Sequence, residues 1–156
     1  MNECKLSENN WTKVAVFAGG DRGHYRIDFD CFVGVDRGSL WVLEEKLPLA
    51  LAVGDFDSVT MEERQLIQKR AHHFVQAQPE KDDTDLELAL LTVFEKDSQA
   101  RVTIFGALGG RIDHMLANVF LPSNPKLAPY MRQIEIEDGQ NLISYCPEGT
   151  SKLEPR

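Results

Sequence analysis

The sequence has few of the features that mark membrane-bound, secreted or nucleic-acid-binding proteins. It holds 17 basic against 25 acidic residues and carries a formal net charge of −8. Nucleic acids and anionic membranes bind basic surfaces, so this shortage of positive charge argues against both as partners. No apolar run approaches the roughly 18 residues that a membrane-spanning helix requires. The polar first residues lack the basic-then-apolar order of a signal peptide.

Cysteine is also scarce. Cys4, Cys31 and Cys146 are far apart in the sequence, and none of them belongs to a C-x-x-C pair. An odd and scattered set of this kind is typical of reduced thiols in a cytosolic protein. We therefore expect a cytoplasmic location.

What remains is an ordinary globular composition. The chain has 156 residues, of which 42% are hydrophobic and 27% charged, and it contains no internal repeat or low-complexity segment. That length is sufficient for one domain of ordinary size with a buried core.

Short apolar runs alternate with amphipathic stretches along most of the chain. Strands are predicted at residues 14–18, 31–35, 49–53, 72–75 and 102–105, and helices at residues 38–46, from Thr60 to about residue 70, after Thr84 and after Gly110. Thr60 and Thr84 are each followed three residues later by glutamate, which is the signature of a capping box. The alternation predicts an α/β fold with a doubly wound, mainly parallel sheet and helices on both faces.

The pattern changes after Pro122. Residues 133–137 alternate polar and apolar, Asp138-Gly139 is a hairpin signal, and residues 141–145 are a candidate return strand. This is the start of an antiparallel β unit, but two strands cannot make an independent fold. The pair must therefore join the main sheet, pair with another subunit, or be the stub of a deleted domain.

Four aspartates each follow a short apolar run that is typical of a strand. They are Asp36, Asp55, Asp57 and Asp85. The carboxyl ends of the strands in a parallel sheet are where ligands bind. Carboxylates gathered there repel one another unless a cation lies among them, and a hard cation such as magnesium, carrying phosphates, is the expected occupant.

The closest pair of these aspartates lies in the segment Gly54-Asp55-Phe56-Asp57-Ser58. In an extended segment Asp55 and Asp57 would lie on the same side, about 7 Å apart, and in a turn they could approach and share one metal. Ser58 could cap the next helix or bind a phosphate. The alternative is a loop with two helix-capping aspartates, although the recurrence of aspartate at other strand-to-helix junctions weighs against it.

A second charged segment precedes the helix that follows Thr84. It reads Lys81-Asp82-Asp83-Thr84-Asp85. Capping alone would explain the three acids, because carboxylates are favourable at the positive end of a helix. Capping does not explain Lys81, which is unfavourable there unless it meets an anion.

A glycine-rich segment follows the strand at residues 102–105. It runs from Gly106 to His114 with the sequence GALGGRIDH. Glycines let the backbone approach a ligand and expose N–H groups at the start of a helix, where phosphate binds well. Arg111 adds a planar donor fork that suits phosphate oxygens. The glycine spacing matches neither a Walker loop nor G-x-G-x-x-G.

Two weaker candidates lie near these segments. Gly19-Gly20, followed by Asp21 and Arg22, could form a similar phosphate cradle after the first strand. His114 could act as a general base, but close to the start of a helix a capping or packing role is the simpler interpretation.

Together these segments resemble the thiamine pyrophosphokinase (thiamine diphosphokinase) family over about residues 14–121. The resemblance is carried by GVDRG at residues 34–38, GDFDS at 54–58, KDDTD at 81–85 and GGRIDH at 109–114. Each motif alone is unspecific, but the four in this order and spacing are specific.

The resemblance implies transfer of a pyrophosphoryl group from ATP to the hydroxyl of thiamine, which gives thiamine diphosphate and AMP. It implies that Asp36, Asp55, Asp57 and Asp85 hold Mg²⁺ and position the triphosphate. Asp55, Asp57, Asp85, Arg111 and Asp113 are the predicted catalytic residues. The residues predicted to bind the nucleotide are Gly19, Gly20, Asp36, Ser58, Lys81, Asp82, Thr84, Gly109, Gly110 and His114.

Members of that family have an α/β catalytic domain followed by an antiparallel β-sandwich, and they work as homodimers with thiamine bound at the subunit interface. The resemblance therefore implies an α/β nucleotide-binding catalytic domain at residues 1–125 and an incomplete remnant of the β-sandwich at residues 130–156. A complete member continues for some tens of residues further, so the nucleotide half is the part that we expect to be intact.

Two other functions remain open. Residues 51–59 imitate the D-x-D signature of haloacid-dehalogenase phosphatases, in which the first aspartate is a nucleophile that becomes phosphorylated. Here, however, the signature follows the third predicted strand, whereas that family places it after the first. The second alternative is a non-catalytic module that binds a magnesium-nucleotide complex. An α/β domain with no functional site is also possible from the sequence.

Overall fold

The computed structural model describes residues 9–20, 23–78 and 83–148, and within these residues the strands form one sheet. The strands are β1 (Lys13–Phe17), β2 (Cys31–Val35), β3 (Leu49–Gly54), β4 (His73–Gln76), β5 (Arg101–Phe105), β6 (Ile134–Glu137) and β7 (Leu142–Ser144). Their order across the sheet is β4-β3-β2-β1-β5-β6-β7. The strands β1 to β6 are parallel, and β7 pairs antiparallel with β6.

The strand order reverses between β1 and β5. The chain first builds outward from β1 to β4 and then returns to place β5 on the other side of β1. The loops that follow β1 and β5 therefore both begin at this point of the carboxyl edge, where the Gly20 N–H donates to the Gly106 carbonyl. Such a switch point is where open α/β sheets bind ligands.

The helices lie on both faces of the sheet. They are α1 (Gly38–Glu44), α2 (Met61–Arg70), α3 (Asp85–Lys96) and α4 (Ile112–Val119), followed by 3-10 helices at Leu121–Ser123 and Ala128–Gln133. On one face α1 and α2 pack on Phe17 and Phe32, and on the other the apolar side of α3 packs on Val33 and Ile104. Because both faces are covered, β2 and β3 are buried throughout, as expected for a parallel sheet. The predicted fold class is confirmed.

Both predicted capping boxes are present. The Thr60 hydroxyl accepts a hydrogen bond from the Glu63 N–H at 3.1 Å, and the Glu63 carboxylate accepts one from the Thr60 N–H at 2.8 Å. Thr84 and Glu87 make the same two bonds at the same distances. Such a cap stabilises a helix start by about 1 kcal/mol. It also fixes where α2 and α3 begin, and therefore where Asp85 lies.

The last two strands belong to the main sheet. Ile104 of β5 pairs with Ile136 of β6, and Ile136 pairs in turn with Ile143 of β7. Ile134 and Ile136 are fully buried in the same core as α3. Of the three placements left open by the sequence, the structure thus shows the first. The division between residues 1–125 and 130–156 stays a prediction.

The helix α4 differs from the other three α-helices because none of its residues is buried. Ile112, Leu116 and Phe120 follow one another at intervals of four residues and are 68%, 46% and 62% exposed. The Tyr145 hydroxyl donates a hydrogen bond to the Val119 carbonyl at 2.7 Å and joins the segment after β7 to the end of this helix. Burial of that phenol raises its pKa to about 12. The exposure of Ile112, Leu116 and Phe120 shows that the apolar stripe they form faces away from the core.

In the described parts of the chain, no helix combines the length and the apolar character that crossing a bilayer would require.

The place of β6 in the core leads to a prediction about stability. Replacing the fully buried Ile136 by alanine should lower the free energy of unfolding by about 2–5 kcal/mol, because the cavity left in the sheet core cannot collapse fully. Ile143→Ala, on the half-buried strand β7, should lower it less. Urea unfolding of both variants measures this, and an Ile136→Ala loss no larger than that of Ile143→Ala would contradict the core placement.

Candidate active site

Three carboxylates converge at the carboxyl edge of the sheet. Asp36 follows β2, Asp55 follows β3 and Asp85 opens α3, and one oxygen of each lies within 4.8 Å of those of the other two. All three side chains are partly buried. The donor set consists of carboxylate oxygens, which are the ligands that Mg²⁺ and other hard divalent cations prefer. The three residues therefore fit a divalent cation, and their predicted role as metal ligands stays a prediction.

The backbone around this group adopts conformations that are rare outside glycine. Asp36 has φ +50° and Phe56 has φ +60°. The Phe56 N–H donates to Asp36 Oδ1 at 3.0 Å, and the Phe56 ring stacks on Phe74 with centroids 4.9 Å apart. A Cβ on Gly54 would lie 2.2 Å from Asp36 Oδ1, so glycine is required where the carboxylate crosses the chain. Strain of this kind persists only where the surroundings impose it, and it is concentrated at functional sites.

The electrostatics of Asp36 show how crowded the group is. Burial is the largest cause that raises the pKa of Asp36, to about 7, and the Phe56 N–H opposes it in part. The neighbouring carboxylates of Asp85 and Asp55 raise that pKa further. Ionising all three groups together therefore costs free energy unless a positive charge lies among them. A bound divalent cation would remove this cost.

Asp57 does not join the three carboxylates. Its side chain is exposed, while its backbone N–H donates to Asp55 Oδ1 at 3.0 Å. Ser58 is also exposed, and its carbonyl accepts a hydrogen bond from Arg37 Nη1 at 2.8 Å. The D-x-D pair is thus divided, with Asp55 directed to the carboxylate group and Asp57 to the solvent. The predicted role of Asp57 as a metal ligand stays a prediction.

Two residues near the group were not among the predicted site residues. Arg37 joins the loop after β2 to the loop after β3 through the Ser58 carbonyl. Gln76, at the end of β4, donates to the Asp55 carbonyl at 3.0 Å. A cation directly after Asp36 was a visible signal for Arg37. No sequence pattern distinguished Gln76, because its contact depends on the pairing of β3 with β4.

The glycine-rich segments meet at the switch point. They line a cavity of about 300 Å³ formed by Gly19, Gly20, Gly106, Gly109, Gly110, Arg111, His114 and Asn118 among others. The Gly20 N–H donates to the Gly106 carbonyl at 3.0 Å, and a Cβ on Gly20 would lie 2.2 Å from that oxygen. Glycine therefore lets the loops after β1 and β5 touch. The two predicted cradles form one concave surface.

Arg111 lines this cavity and is paired with Asp113. Arg111 donates to both oxygens of the Asp113 carboxylate, at 3.1 Å and 2.7 Å. Their side chains are 72% and 60% exposed, and such exposed pairs contribute little to stability. The guanidinium fork could therefore exchange Asp113 for a phosphate at small cost. His114 lines the same cavity and is exposed.

The segment before α3 is described only in part. Lys81 and Asp82 lie outside the described residues, so their predicted roles stay predictions. Asp83 accepts from Lys126 Nζ at 2.8 Å, and this bond is the main cause that lowers the pKa of Asp83. The Thr84 hydroxyl is used in the capping box. Within the described residues, only Asp85 of this segment belongs to the three-carboxylate group.

Most of the sequence matches the model of a known protein family. Residues 23–133 match the family described as thiamin pyrophosphokinase, catalytic domain. The chain is 37% identical over 147 residues to a thiamine pyrophosphokinase of Bacillus subtilis (strain 168), an alignment that covers 90% of this chain and 67% of that protein.

Solved structures give the same result. A thiamin pyrophosphokinase family protein from Enterococcus faecalis matches with a TM-score of 0.83 and 46% identity, covering 88% of this chain and 67% of that one. Thiamine pyrophosphokinase from Bacillus subtilis matches with a TM-score of 0.67 and 35% identity, covering 84% and 62% respectively. The chain thus spans about two thirds of the length of these relatives.

The division of the D-x-D pair leads to a prediction about metal binding. A divalent cation at 100 times its Kd should stabilise the wild-type chain by about 2.7 kcal/mol, which raises Tm by roughly 5–10 °C. Asp55→Asn should abolish most of this shift, because it removes one of the three converging carboxylates. Asp57→Asn is the matched control and should keep most of it. Thermal unfolding with Mg²⁺ and with EDTA measures the shift, and equal losses in the two variants would contradict the division.

Proposed function

The chain belongs to the thiamin pyrophosphokinase family, and from that premise we propose that it transfers a pyrophosphoryl group from ATP to the hydroxyl of thiamine. The products are thiamine diphosphate and AMP. The family match over residues 23–133 and the names of the relatives support this activity. The observation that carries it is the group of three carboxylates at the carboxyl edge of the sheet.

In this proposal Asp36, Asp55 and Asp85 hold Mg²⁺, which when bound neutralises charge on the phosphate oxygens. Phosphoryl-type transfer needs positioning and charge neutralisation more than covalent help from the protein. The three carboxylates are supplied by separate elements whose ends are fixed by β2, β3 and the Thr84 cap. The protein therefore presents a preformed set of oxygen ligands beside the phosphate cavity.

The glycine cavity binds the phosphates. Gly19, Gly20, Gly109 and Gly110 present backbone in the concave surface at the switch point. The Gly20 N–H is bonded to the Gly106 carbonyl, and the other three N–H groups are the ones that can donate to phosphate oxygens. Arg111 releases Asp113 and donates its fork to the phosphate chain, which stabilises the charge that develops when AMP leaves. The thiamine hydroxyl attacks the β-phosphorus in line with the departing AMP oxygen.

The remaining predicted site residues bind the nucleotide or hold the other site residues in position. Lys81 and Asp82 precede α3 and contact the nucleotide, while the Thr84 cap fixes the start of that helix. Asp57 and Ser58 border the carboxylate group from the exposed side. Asp113 acts as the resting partner of Arg111, and His114 contacts the ligand at the cavity wall.

We also propose that the protein works as a homodimer and that thiamine is bound with the help of an antiparallel β unit to which residues 130–156 contribute. The exposed stripe of Ile112, Leu116 and Phe120 supports an interface on the α4 side of the domain. The alignments cover 67% of these relatives, which supports additional structure in those proteins.

A cytoplasmic location is part of the same proposal. Of the cysteines in the described residues, Cys31 and Cys146 are both free thiols. Free thiols and a requirement for ATP are both typical of cytosolic enzymes.

The two alternative functions receive no support from the comparisons, since all the relatives reported above carry thiamine pyrophosphokinase names. The phosphatase is also disfavoured by position, because Asp55 follows β3 and not the first strand. A non-catalytic nucleotide-binding module would keep the same three carboxylates and would differ only in releasing no AMP.

Turnover tests the proposal directly. The chain is incubated with ATP, Mg²⁺ and thiamine, AMP is measured by a coupled assay, and ATP binding is measured by calorimetry. We expect AMP and thiamine diphosphate in equal amounts. We expect Asp55→Ala to lower Mg²⁺-dependent turnover at least about 100-fold, as does removal of one preorganised electrostatic group elsewhere, without unfolding the chain.

Three other outcomes would count against this activity. Calorimetric binding of ATP without AMP release would favour the non-catalytic module. A phosphate covalently trapped on Asp55 would favour the phosphatase. Unchanged Mg²⁺-dependent turnover in Asp55→Ala would remove the carboxylate group from the mechanism.

A further inference from the structure

Gln76 is the last residue of the edge strand β4, and its side chain lies between Arg64 and the loop that carries Asp55. Its Nε2 donates to the Asp55 carbonyl at 3.0 Å, and its Oε1 accepts from Arg64 Nη2 at 2.6 Å. The two strands hold this geometry in register, since Gln76 pairs with Gly54 and the Ala77 N–H donates to the Gly54 carbonyl at 2.8 Å.

The orientation of the Gln76 amide follows from the chemistry of its two partners. A guanidinium can only donate hydrogen bonds, and a backbone carbonyl can only accept them. The amide therefore satisfies both only when its oxygen faces Arg64 and its nitrogen faces Asp55. Arg64 is itself held over the Phe74 ring, with its guanidinium carbon 5.9 Å from the ring centroid. Phe74 in turn stacks on Phe56, in the loop that Gln76 contacts.

The Gln76 bond, like the bond from Arg37 to the Ser58 carbonyl, differs from the contacts of this loop that use a carboxylate oxygen. Asp36 Oδ1 accepts the Phe56 N–H, and Asp55 Oδ1 accepts the Asp57 N–H. Both of those acceptors are carboxylates that the proposed cation would engage. Gln76 instead holds the Asp55 peptide without using a carboxylate oxygen. Its restraint can therefore persist unchanged when the carboxylates turn toward a ligand.

We propose that Arg64 and Gln76 form a positioning relay, in which Arg64 orients the Gln76 amide and Gln76 fixes the Asp55 peptide so that its carboxylate points into the three-carboxylate group. This inference rests on the proposed function of that group. Neither residue belongs to the group itself, so both act through Asp55. Residues that orient metal ligands in this way typically contribute 10–100-fold to metal affinity.

The test uses Gln76→Met, which keeps the length of the side chain and removes both hydrogen bonds. Gln76 is exposed at the edge of the sheet, so the core is left intact. Gln133→Met is the matched control, because Gln133 Nε2 also donates to backbone carbonyls, those of Ser98 at 2.9 Å and Ala100 at 2.8 Å. Those bonds lie beside the start of β5, at the amino end of the parallel strands, whereas Asp55 lies at their carboxyl end.

Two quantities are measured on the purified chain without nucleotide. Electron paramagnetic resonance gives the Kd for Mn²⁺, and urea unfolding in EDTA gives the stability of the metal-free form. We expect Gln76→Met to weaken Mn²⁺ binding by about tenfold or more, and Gln133→Met to leave the Kd unchanged even if it lowers stability more. An unchanged Kd in Gln76→Met, or an equal loss in both variants, would overturn the relay.

Arg64 supplies a second test whose sign separates two roles. If Arg64 acted on the site only as a nearby positive charge, Arg64→Met would tighten Mn²⁺ binding by removing repulsion. The relay requires the opposite, a weaker affinity, with rescue by Arg64→Lys because lysine also donates. It further requires that Arg64→Met has no additional effect in the Gln76→Met background. Tighter binding, or additive losses in the double variant, would overturn the role of Arg64.

The same measurements distinguish this inference from the proposed function. Mn²⁺ binding with the expected variant effects, but without AMP release, would overturn turnover by this chain and leave the relay standing. Turnover with an unchanged Kd in Gln76→Met would do the reverse. Failure of the wild-type chain to bind Mn²⁺ would overturn both the cation site and the relay.

Discussion

The constraint on which the rest of the site depends is that the fold holds three mutually repelling carboxylates close together. Asp36, Asp55 and Asp85 lie within 4.8 Å of one another and are partly withdrawn from water. Folding alone gains nothing from that proximity. The pKa of Asp36 is raised first by burial and then by the neighbouring carboxylates, so ionising the group costs free energy. The arrangement becomes favourable when a cation is present, which is how a binding site differs from a packed core. The strained backbone at Asp36 and Phe56 is a second feature of this group that costs stability and is typical of functional sites.

The rest of the fold holds these groups in place. The buried strands β2 and β3 end side by side, the Thr84 capping box fixes the first residue of α3, and Gln76 holds the peptide of Asp55 from the neighbouring strand. Each contact is local and modest in energy. Together these contacts fix the positions of the three carboxylates before anything binds to them. Such preorganisation is the condition for efficient electrostatic catalysis.

The glycine-lined cavity and the carboxylate group occupy neighbouring parts of one edge because β1 separates the two halves of the sheet. The cavity forms where the loops after β1 and β5 meet, and the carboxylates lie after β2, after β3 and at the start of α3. A nucleotide that lies along this edge would meet both. Among the residues that the structure describes, the apolar side of α4 is exposed near this edge, and the chain spans about two thirds of the length of its relatives.

The sequence by itself determined the elements and the chemical character of the site. Apolar runs and capping boxes are local signals, so the strands, the starts of α2 and α3 and the acidic loops could be read without knowledge of the fold. Only the tertiary structure decided that Asp36, Asp55 and Asp85 meet while Asp57 turns outward, and that β6 joins the main sheet beside β5. It alone brought Gln76 to Asp55. Those outcomes depend on strand order, register and left-handed backbone angles, which arise from contacts between residues far apart in the chain.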